Sequence, residues 1–221
     1  MASTTHGSLA KNACSYLERS ARTVQSVGAN SQEINRQSIL LIEWAKENDA
    51  ILADEYLVGL ERQESTTAEH EVFYRPSDNR AVKRTYAGTF GVTNDPKGKQ
   101  HAATPIFYLR RLRLMNRIFN SDLRLEGITF GRSLIIGEKD DLPCMVISQP
   151  WHRGVDENDP HPSSQEIKTF MESLGFSEMK GAYFGWFKAD EKISIIDARP
   201  DNFIKNENGI IPIDLVISEE S

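Results

Sequence analysis

Long apolar runs are missing from this chain. The best candidate, from Ile39 to Trp44, is interrupted by Glu43, so nothing approaches the roughly 20 residues a membrane helix needs. Cysteine is scarce. Cys14 and Cys144 cannot build a disulfide framework, and neither sits in a C-x-x-C pair, so a reducing cytoplasm with both thiols free is expected. The first residues, MASTTHGSLAKNACS, lack the basic start, apolar stretch and cleavage site of a signal peptide. Positive charge is in deficit: 26 Lys and Arg stand against 32 Asp and Glu, a net of −6. That disfavours nucleic acid as a partner, because non-specific binding rests on neutralising phosphates, although a local basic patch stays open. Glycine and proline, 14 and 9, are too few for a collagenous or low-complexity chain. What is present is ordinary: 221 residues, 39% hydrophobic and 26% charged, fit one soluble domain or a domain with a tail.

Residues 1–30 are rich in Ser, Thr, Ala and Asn and read as a flexible arm, with one weak helix near Ala13 to Val24. Asn30 and Glu33 form a capping-box pair ahead of helical spacing from Ile34 to Asn48. EHEVFYR (69–75) and RAVKRTY (80–86) flank Pro76-Ser77-Asp78-Asn79 and predict a β-hairpin. Residues 87–103 hold three glycines and Asn94-Asp95-Pro96, and read as a mobile loop. Thr104-Pro105 opens a second helix through Phe119. Strands are expected at 123–130, 133–137 and 143–148, then a polar loop over 149–162. A third helix begins near Ser163, with Glu166 three residues on, and closes at Gly175. Short hairpins follow, and Tyr183, Phe184, Trp186 and Phe187 read as their core. The order predicts an α+β fold with a mainly antiparallel sheet early in the chain.

The most informative segment is IIDARPDNFIKNENGIIPIDLVI, residues 195–217. Asp197 and Asn202 lie five apart in a loop between two apolar strands, and Asp214 ends the next apolar strand, twelve residues beyond Asn202. Phosphoryl transfer needs such a set. One carboxylate must reach the acceptor hydroxyl, while an amide and a second carboxylate share the Mg²⁺ that bridges the nucleotide phosphates.

These residues resemble the protein-kinase-like superfamily, whose catalytic loop reads H-R-D-x-x-x-x-N and is followed by the Asp of D-F-G. D-A-R-P-D-N is closer to the D-x-H-P-x-N of small-molecule kinases such as the aminoglycoside phosphotransferases. It is closer still to the kinase-like domain of bacterial polyvalent proteins, found on phages and other mobile elements. EHEVFY, ATP-x-x-YL-x-x-L (103–112), DLRLEGI (122–128), SQP (148–150), F-M-x-S-L-G-F (170–176) and I-P-I-D-L-V-I carry the same likeness over roughly residues 40–221. The resemblance implies a reduced two-lobed kinase-like fold. The arm is 1–30, an N-lobe with an antiparallel sheet is 31–148, and a truncated C-lobe is 149–221. It implies that Asp197 orients or deprotonates the acceptor, that Asn202 and Asp214 hold Mg²⁺, and that Lys83, in a strand similar to V-A-I-K, holds the α/β-phosphates of ATP. Gln149 falls at the hinge that meets the nucleobase, beside Trp151. Ser65 and Thr66, with Thr67, stand where a phosphate-cradling turn belongs.

The chain departs from the pattern in four ways. LERQESTTAE (60–69) has no glycine where G-x-G-x-x-G is expected. The helix after Pro105 has no Glu to pair with Lys83, leaving Asn116, Glu126, Glu43 or Glu47 as substitutes. Ile196 replaces the Arg before the catalytic Asp, which argues against control through activation-loop phosphorylation. Seven residues follow Asp214, so the acceptor is expected on a second subunit, a partner protein or a small molecule. His152, Asp156, Asp159 and His161 read as a polar surface loop. The expected function is ATP/Mg-dependent phosphotransfer to a protein or small-molecule acceptor. The alternative is an inactive pseudokinase serving as a nucleotide-binding or protein-interaction module, which the missing glycine turn favours and the intact Asp197/Asn202/Asp214 set opposes.

Overall fold

The computed structural model describes residues 6–20, 31–64, 69–94, 100–132, 141–182 and 184–219. They fall into two compact units, Met1–Arg113 with Asp122–Trp151, and Leu114–Ser121 with His152–Ser221. The expected α+β class holds, with four α-helices and antiparallel sheets among the described residues.

The first unit opens with α1 (His6–Ser20) and α2 (Ser31–Glu47). α1 begins earlier than the sequence suggested, and residues 21–24 of the expected helix lie outside the described residues. Its buried face is Ala10, Ala13, Cys14 and Leu17, the i, i+3, i+4, i+7 spacing of an amphipathic helix. Three of those four side chains are small, so the stripe scarcely shows in a hydrophobicity reading. Arg110 donates to Glu18 at 2.8 Å, fastening α1 to the third helix. α2 buries Leu41, Trp44 and Ala45. Its Gln37 side chain accepts the Ile106 backbone N–H at 3.1 Å, which satisfies one of the orphan donors at the start of the third helix.

Strands β1 (Glu61–Arg62), β2 (His70–Arg75) and β3 (Arg80–Thr85) follow. β2 and β3 form the hairpin around Pro76–Asn79, pairing Arg75 with Arg80. Asn79 takes φ +54 at the turn, a left-handed position Asn tolerates. The stretch read as a mobile loop contains a second hairpin, β4 (Val92–Asn94) with β5 (Gln100–Ala102). Its strands are three residues long and its glycines and Asn-Asp-Pro dominate the composition, so local propensity concealed it. The Ala103 N–H donates to the Gly91 carbonyl at its base.

Helix α3 (Pro105–Phe119) starts as expected, with Thr104 as a cap and Pro at the first position. β6 (Arg124–Gly131) and β7 (Leu142–Pro150) complete an antiparallel sheet of order β1-β2-β3-β7-β6. Residues 133–137, expected as a further strand, lie outside the described residues.

β6 bulges at Glu126, where the register with β7 steps from Leu125 to Gly127. The chain after α2 runs against this point. Ile128 N–H donates to the Ala50 carbonyl and Leu52 N–H to the Ile128 carbonyl, both at 2.8 Å. A Cβ on Gly127 would sit 2.5 Å from the Ala50 carbonyl oxygen and 2.8 Å from Leu52 Cγ. Gly127→Ala is therefore expected to cost about 1–3 kcal/mol, the usual range for overpacking. A fall in the melting temperature checks it, and an unchanged midpoint would refute the contact.

The bulge aims Glu126 into a buried polar cluster. Its carboxylate accepts from Tyr56 at 2.9 Å, from Arg75 at 3.2 Å and from the Ser148 hydroxyl. Arg75 also forms a fork with Asp78, both bonds 2.8 Å. Arg80 reaches the Ser148 hydroxyl, the Ser148 carbonyl and Asp122. Burial alone would raise the Glu126 carboxyl, but the hydrogen bonds from Ser148 and Arg75 outweigh it and hold it below the ordinary value. Burial, together with the neighbouring Glu126 charge, pushes the Tyr56 phenol up to about 12.

In the second unit, α4 (Ser164–Ser173) has the expected capping box, with Ser163 and Glu166 exchanging bonds. Glu166 also accepts from Lys205 at 2.5 Å. Strands β8 (Ser177–Glu178), β9 (Trp186–Lys188), β10 (Ile193–Ile196) and β13 (Val216–Glu219) form a sheet of order β13-β10-β9-β8. Between β10 and β13 stands the hairpin of β11 (Phe203–Asn206) and β12 (Gly209–Pro212). Phe119 stacks on Phe170 and Phe176, and Phe170 meets Phe203 edge-on at 6.3 Å, giving this unit an aromatic core. Trp186 is buried as expected. Phe184 is not a core residue: it is 37% exposed, in a turn where it takes φ +55, outside the strands of the sheet. Tyr183 lies outside the described residues.

Candidate functional site

β10 runs Ile193, Ser194, Ile195, Ile196, with Ile193 and Ile195 buried. It is paired on both sides, with β9 and β13, and so delivers the next residue, Asp197, from a fixed strand end. Asp197 takes φ +60, a left-handed backbone that is uncommon for a residue with a side chain and that Asp visits more readily than most. Asn202 holds it there. The Asn202 amide Nδ2 donates to the Asp197 carbonyl at 2.7 Å and to the Asp197 carboxylate at 3.0 Å. Asn202 itself is 7% exposed, at the end of a single 3-10 turn, Pro200–Asn202, that Pro200 opens. The Ala198 N–H donates to the Phe184 carbonyl at 3.1 Å, bracing the loop from the β8–β9 side.

Arg199 Nε donates to the other Asp197 oxygen at 2.7 Å. The sequence reading quoted this Arg within D-A-R-P-D-N without giving it a role, although its two-residue spacing from Asp197 carried the signal. The bond to Asp197 holds the guanidinium firmly charged, with Asp201 and Asp214 adding attraction. Both partners of the Asp197–Arg199 pair are more than 40% exposed. Such pairs contribute about 0–1 kcal/mol to stability, so this one is easily exchanged for contacts to a bound anion.

Asp214 follows β12. Phe203 pairs with Pro212, and the Ile213 N–H donates to the Asn202 carbonyl at 2.9 Å, so the hairpin continues to the Asn202 level and sets Asp214 next along. Asp214 is half-buried. The orientation of the Asn202 amide decides what this pair can hold. With Nδ2 committed to Asp197, Oδ1 points away, and among the described residues it accepts no hydrogen bond. An amide oxygen and a carboxylate are hard oxygen donors, the set a Mg²⁺ ion takes alongside phosphate oxygens and waters. The residues present fit that ion.

In the first unit, Lys83 sits in mid-β3 and is 7% exposed. It lies opposite Val72 and Ile147, so its side chain shares a sheet face with theirs. Three of the substitutes proposed for a pairing Glu, Glu126, Glu43 and Glu47, do not fit. Glu126 binds the Ser148 hydroxyl, and Ser148 lies opposite Val82, whose side chain points to the other face from Lys83. Glu43 and Glu47 are exposed on α2, where their charge bears on Tyr16 of α1. Asn116 is half-buried on α3, and its carbonyl accepts the Asn120 N–H.

Helix α3, which has no Glu, contributes a cation instead. It presents Arg111, which donates to Glu69 at 2.8 Å, and one turn earlier Tyr108, whose hydroxyl is 2.7 Å from His70 Nε2. Glu69 also accepts the Val92 N–H at 3.2 Å. The carboxylate thus comes from the approach to β2 and the cation from the helix. No local pattern links residues 42 positions apart, so the sequence reading missed the pair.

Gln149 is 6% exposed near the end of β7, opposite Ala81. Trp151 packs on Tyr74 with ring centroids 5.0 Å apart. Ser65, Thr66 and Thr67 lie outside the described residues. The loop of His152, Asp156, Asp159 and His161 is tied down structurally. His161 Nδ1 meets the Phe203 carbonyl at 2.8 Å, and the loop backbone exchanges bonds with Lys205 at Val155 and Pro160. Cys14 and Cys144 are free and buried, and burial pushes both thiols up, as expected of inert packing residues. Among the described residues, no helix is long and apolar enough to cross a membrane.

Compared with known proteins, the chain matches the model of one family over residues 34–220, described as serine/threonine/tyrosine kinases found in polyvalent proteins. No curated protein and no solved structure matches it significantly.

Proposed function

Because the chain belongs to the family of serine/threonine/tyrosine kinases found in polyvalent proteins, we propose that it is an active, ATP- and Mg²⁺-dependent phosphotransferase. The observation that carries this reading is the Asn202 amide. It fixes the left-handed Asp197 through two bonds from Nδ2 and leaves Oδ1 without a hydrogen bond among the described residues, while Asp214 follows the hairpin whose Ile213 N–H bonds the Asn202 carbonyl.

In this reading Asp197 orients the acceptor hydroxyl and takes its proton. Asn202 Oδ1 and Asp214 hold Mg²⁺, which neutralises charge on the transferring phosphoryl group. Arg199 exchanges Asp197 for a phosphate oxygen when nucleotide arrives, and Lys83 pairs with the α/β-phosphates. Positioning and electrostatics supply most of the rate, since phosphoryl transfer asks little covalent chemistry of the protein. The two compact units serve as the two lobes of a reduced kinase-like fold. The acceptor is a protein or a small molecule, and roles on bacterial mobile elements and in the cytoplasm follow from the family's setting.

A thermal-shift titration with ATP and Mg²⁺ tests the reading. Ligand at about 100 times its Kd adds about 2.7 kcal/mol of stability. The wild type is expected to shift only when both are present, and Asp214→Asn to lose the metal-dependent part. No shift at millimolar nucleotide refutes it.

A further inference from the structure

The end of β7 has few backbone groups left to offer a ligand. The Trp151 N–H donates to the Asn79 carbonyl at 2.9 Å. Counting back along the antiparallel ladder, the hydrogen-bonded pairs alternate, which makes Ala81–Gln149 the next such pair. The closing Arg75–Arg80 pair of the β2–β3 hairpin agrees, since β3 then points its even residues to β2 and its odd ones to β7. The Gln149 backbone is therefore spent on β3. Pro150 has no N–H at all. The Ser148 carbonyl accepts Arg80 Nη2 at 3.1 Å. Across 149–151 every backbone donor is used or absent.

The Gln149 side chain is in the opposite state. The residue is 6% exposed, and among the described residues its carboxamide makes no hydrogen bond. Its polar atoms are not among the fully buried unpartnered ones, so the amide is the accessible part of an otherwise buried residue. Gln149 lies opposite Ala81 and Lys83 opposite Ile147, so both side chains stand on one face of the sheet, on diagonal positions about 7–8 Å apart. A nucleoside phosphate, with its base at one end and phosphates at the other, spans that interval.

Resting on the phosphotransferase reading above, we propose that the Gln149 side-chain amide, and not the strand backbone, reads the edge of the nucleotide base. An amide offers one donor and one acceptor. In one orientation it takes adenine, accepting from N6–H and donating to a ring nitrogen. Rotated by half a turn it takes guanine, donating to O6 and accepting from N1–H. Since nothing among the described residues fixes the amide in one orientation, both are open, and the enzyme uses ATP and GTP with similar affinity.

The test measures binding of Mg-ATP, Mg-GTP and, as a probe without a base, Mg-tripolyphosphate to the full chain. Wild type is expected to bind ATP and GTP within about tenfold of one another. Gln149→Leu should weaken both by roughly ten- to a hundredfold, the worth of one good bidentate base contact, and leave tripolyphosphate unchanged. Gln149→Glu, which only accepts, should keep GTP through N1–H and N2–H and lose ATP. Unliganded melting temperatures report whether each variant is folded. Equal nucleotide binding by wild type and Gln149→Leu overturns the inference alone. So does loss of tripolyphosphate in step with the nucleotides, or a wild-type preference beyond about a hundredfold. A wild type that binds none of the three overturns the phosphotransferase reading beneath it.

Discussion

Asp197→Asn is expected to lower transfer of labelled γ-phosphate, whether to water, to the chain itself or to an added acceptor, by about 10²–10⁴-fold, the usual worth of a positioned general base. Binding of Mg-ATP should change little, because the substitution leaves Asn202 Oδ1 and Asp214 in place. The amide keeps one oxygen, enough for either the Asn202 or the Arg199 donor, and Asn202 Nδ2 keeps its bond to the backbone carbonyl of residue 197. The left-handed backbone at 197 is as open to Asn as to Asp, so the variant should fold. A rate fall with unchanged nucleotide affinity places the proton transfer at Asp197. An unchanged rate would mean that the carboxylate is not the base, while a wild type that binds nucleotide and transfers no phosphate would favour the reading in which the domain acts without catalysis.

The largest expected loss of stability lies elsewhere, at Glu126. Its side chain is 8% exposed and gathers Arg75, Tyr56 and Ser148. Removing one member of a buried ion pair costs about 3–5 kcal/mol. Arg75 keeps its fork to Asp78, so Glu126→Ala should fall near the lower end of that range. Denaturant unfolding at neutral pH measures it. The pH dependence has a definite sign. The folded carboxyl is held below its unfolded value, so its stabilisation is complete above the unfolded value and is lost as the pH falls through the folded one. Wild type should lose stability on acidification over that window. Glu126→Gln, starting lower, should lack this component. Parallel pH profiles for the two proteins would show that Glu126 is not what the cluster depends on.

The cluster illustrates which features a sequence conceals. The placement of Asp197, Asn202 and Asp214 was legible because it is set by short spacing: five residues of loop, then one hairpin. The capped start at Ser163, Pro105 at the head of α3, and the β2–β3 turn were legible for the same reason, since caps and turns are decided within a few residues. Lys83 stood out by its mid-strand position. Glu126 was singled out too, as a partner for Lys83. The reading failed because a bulge and a strand register, both products of pairing with β7, determine which face a β6 side chain reaches. The start of helix α1 was placed too late because its buried stripe is mostly alanine and cysteine.

The chain alone therefore determined its class, its helix caps, its hairpin turns and the close placement of Asp197, Asn202 and Asp214, all consequences of backbone propensity and near-neighbour spacing. Only the tertiary structure decided the pairing of Arg111 with Glu69, the gathering of Tyr56, Arg75 and Ser148 around Glu126, and the spending of every backbone donor beside Gln149. Those depend on contacts between residues tens of positions apart. Which of the many possible partners is chosen there is settled by packing and register, and no local pattern records it.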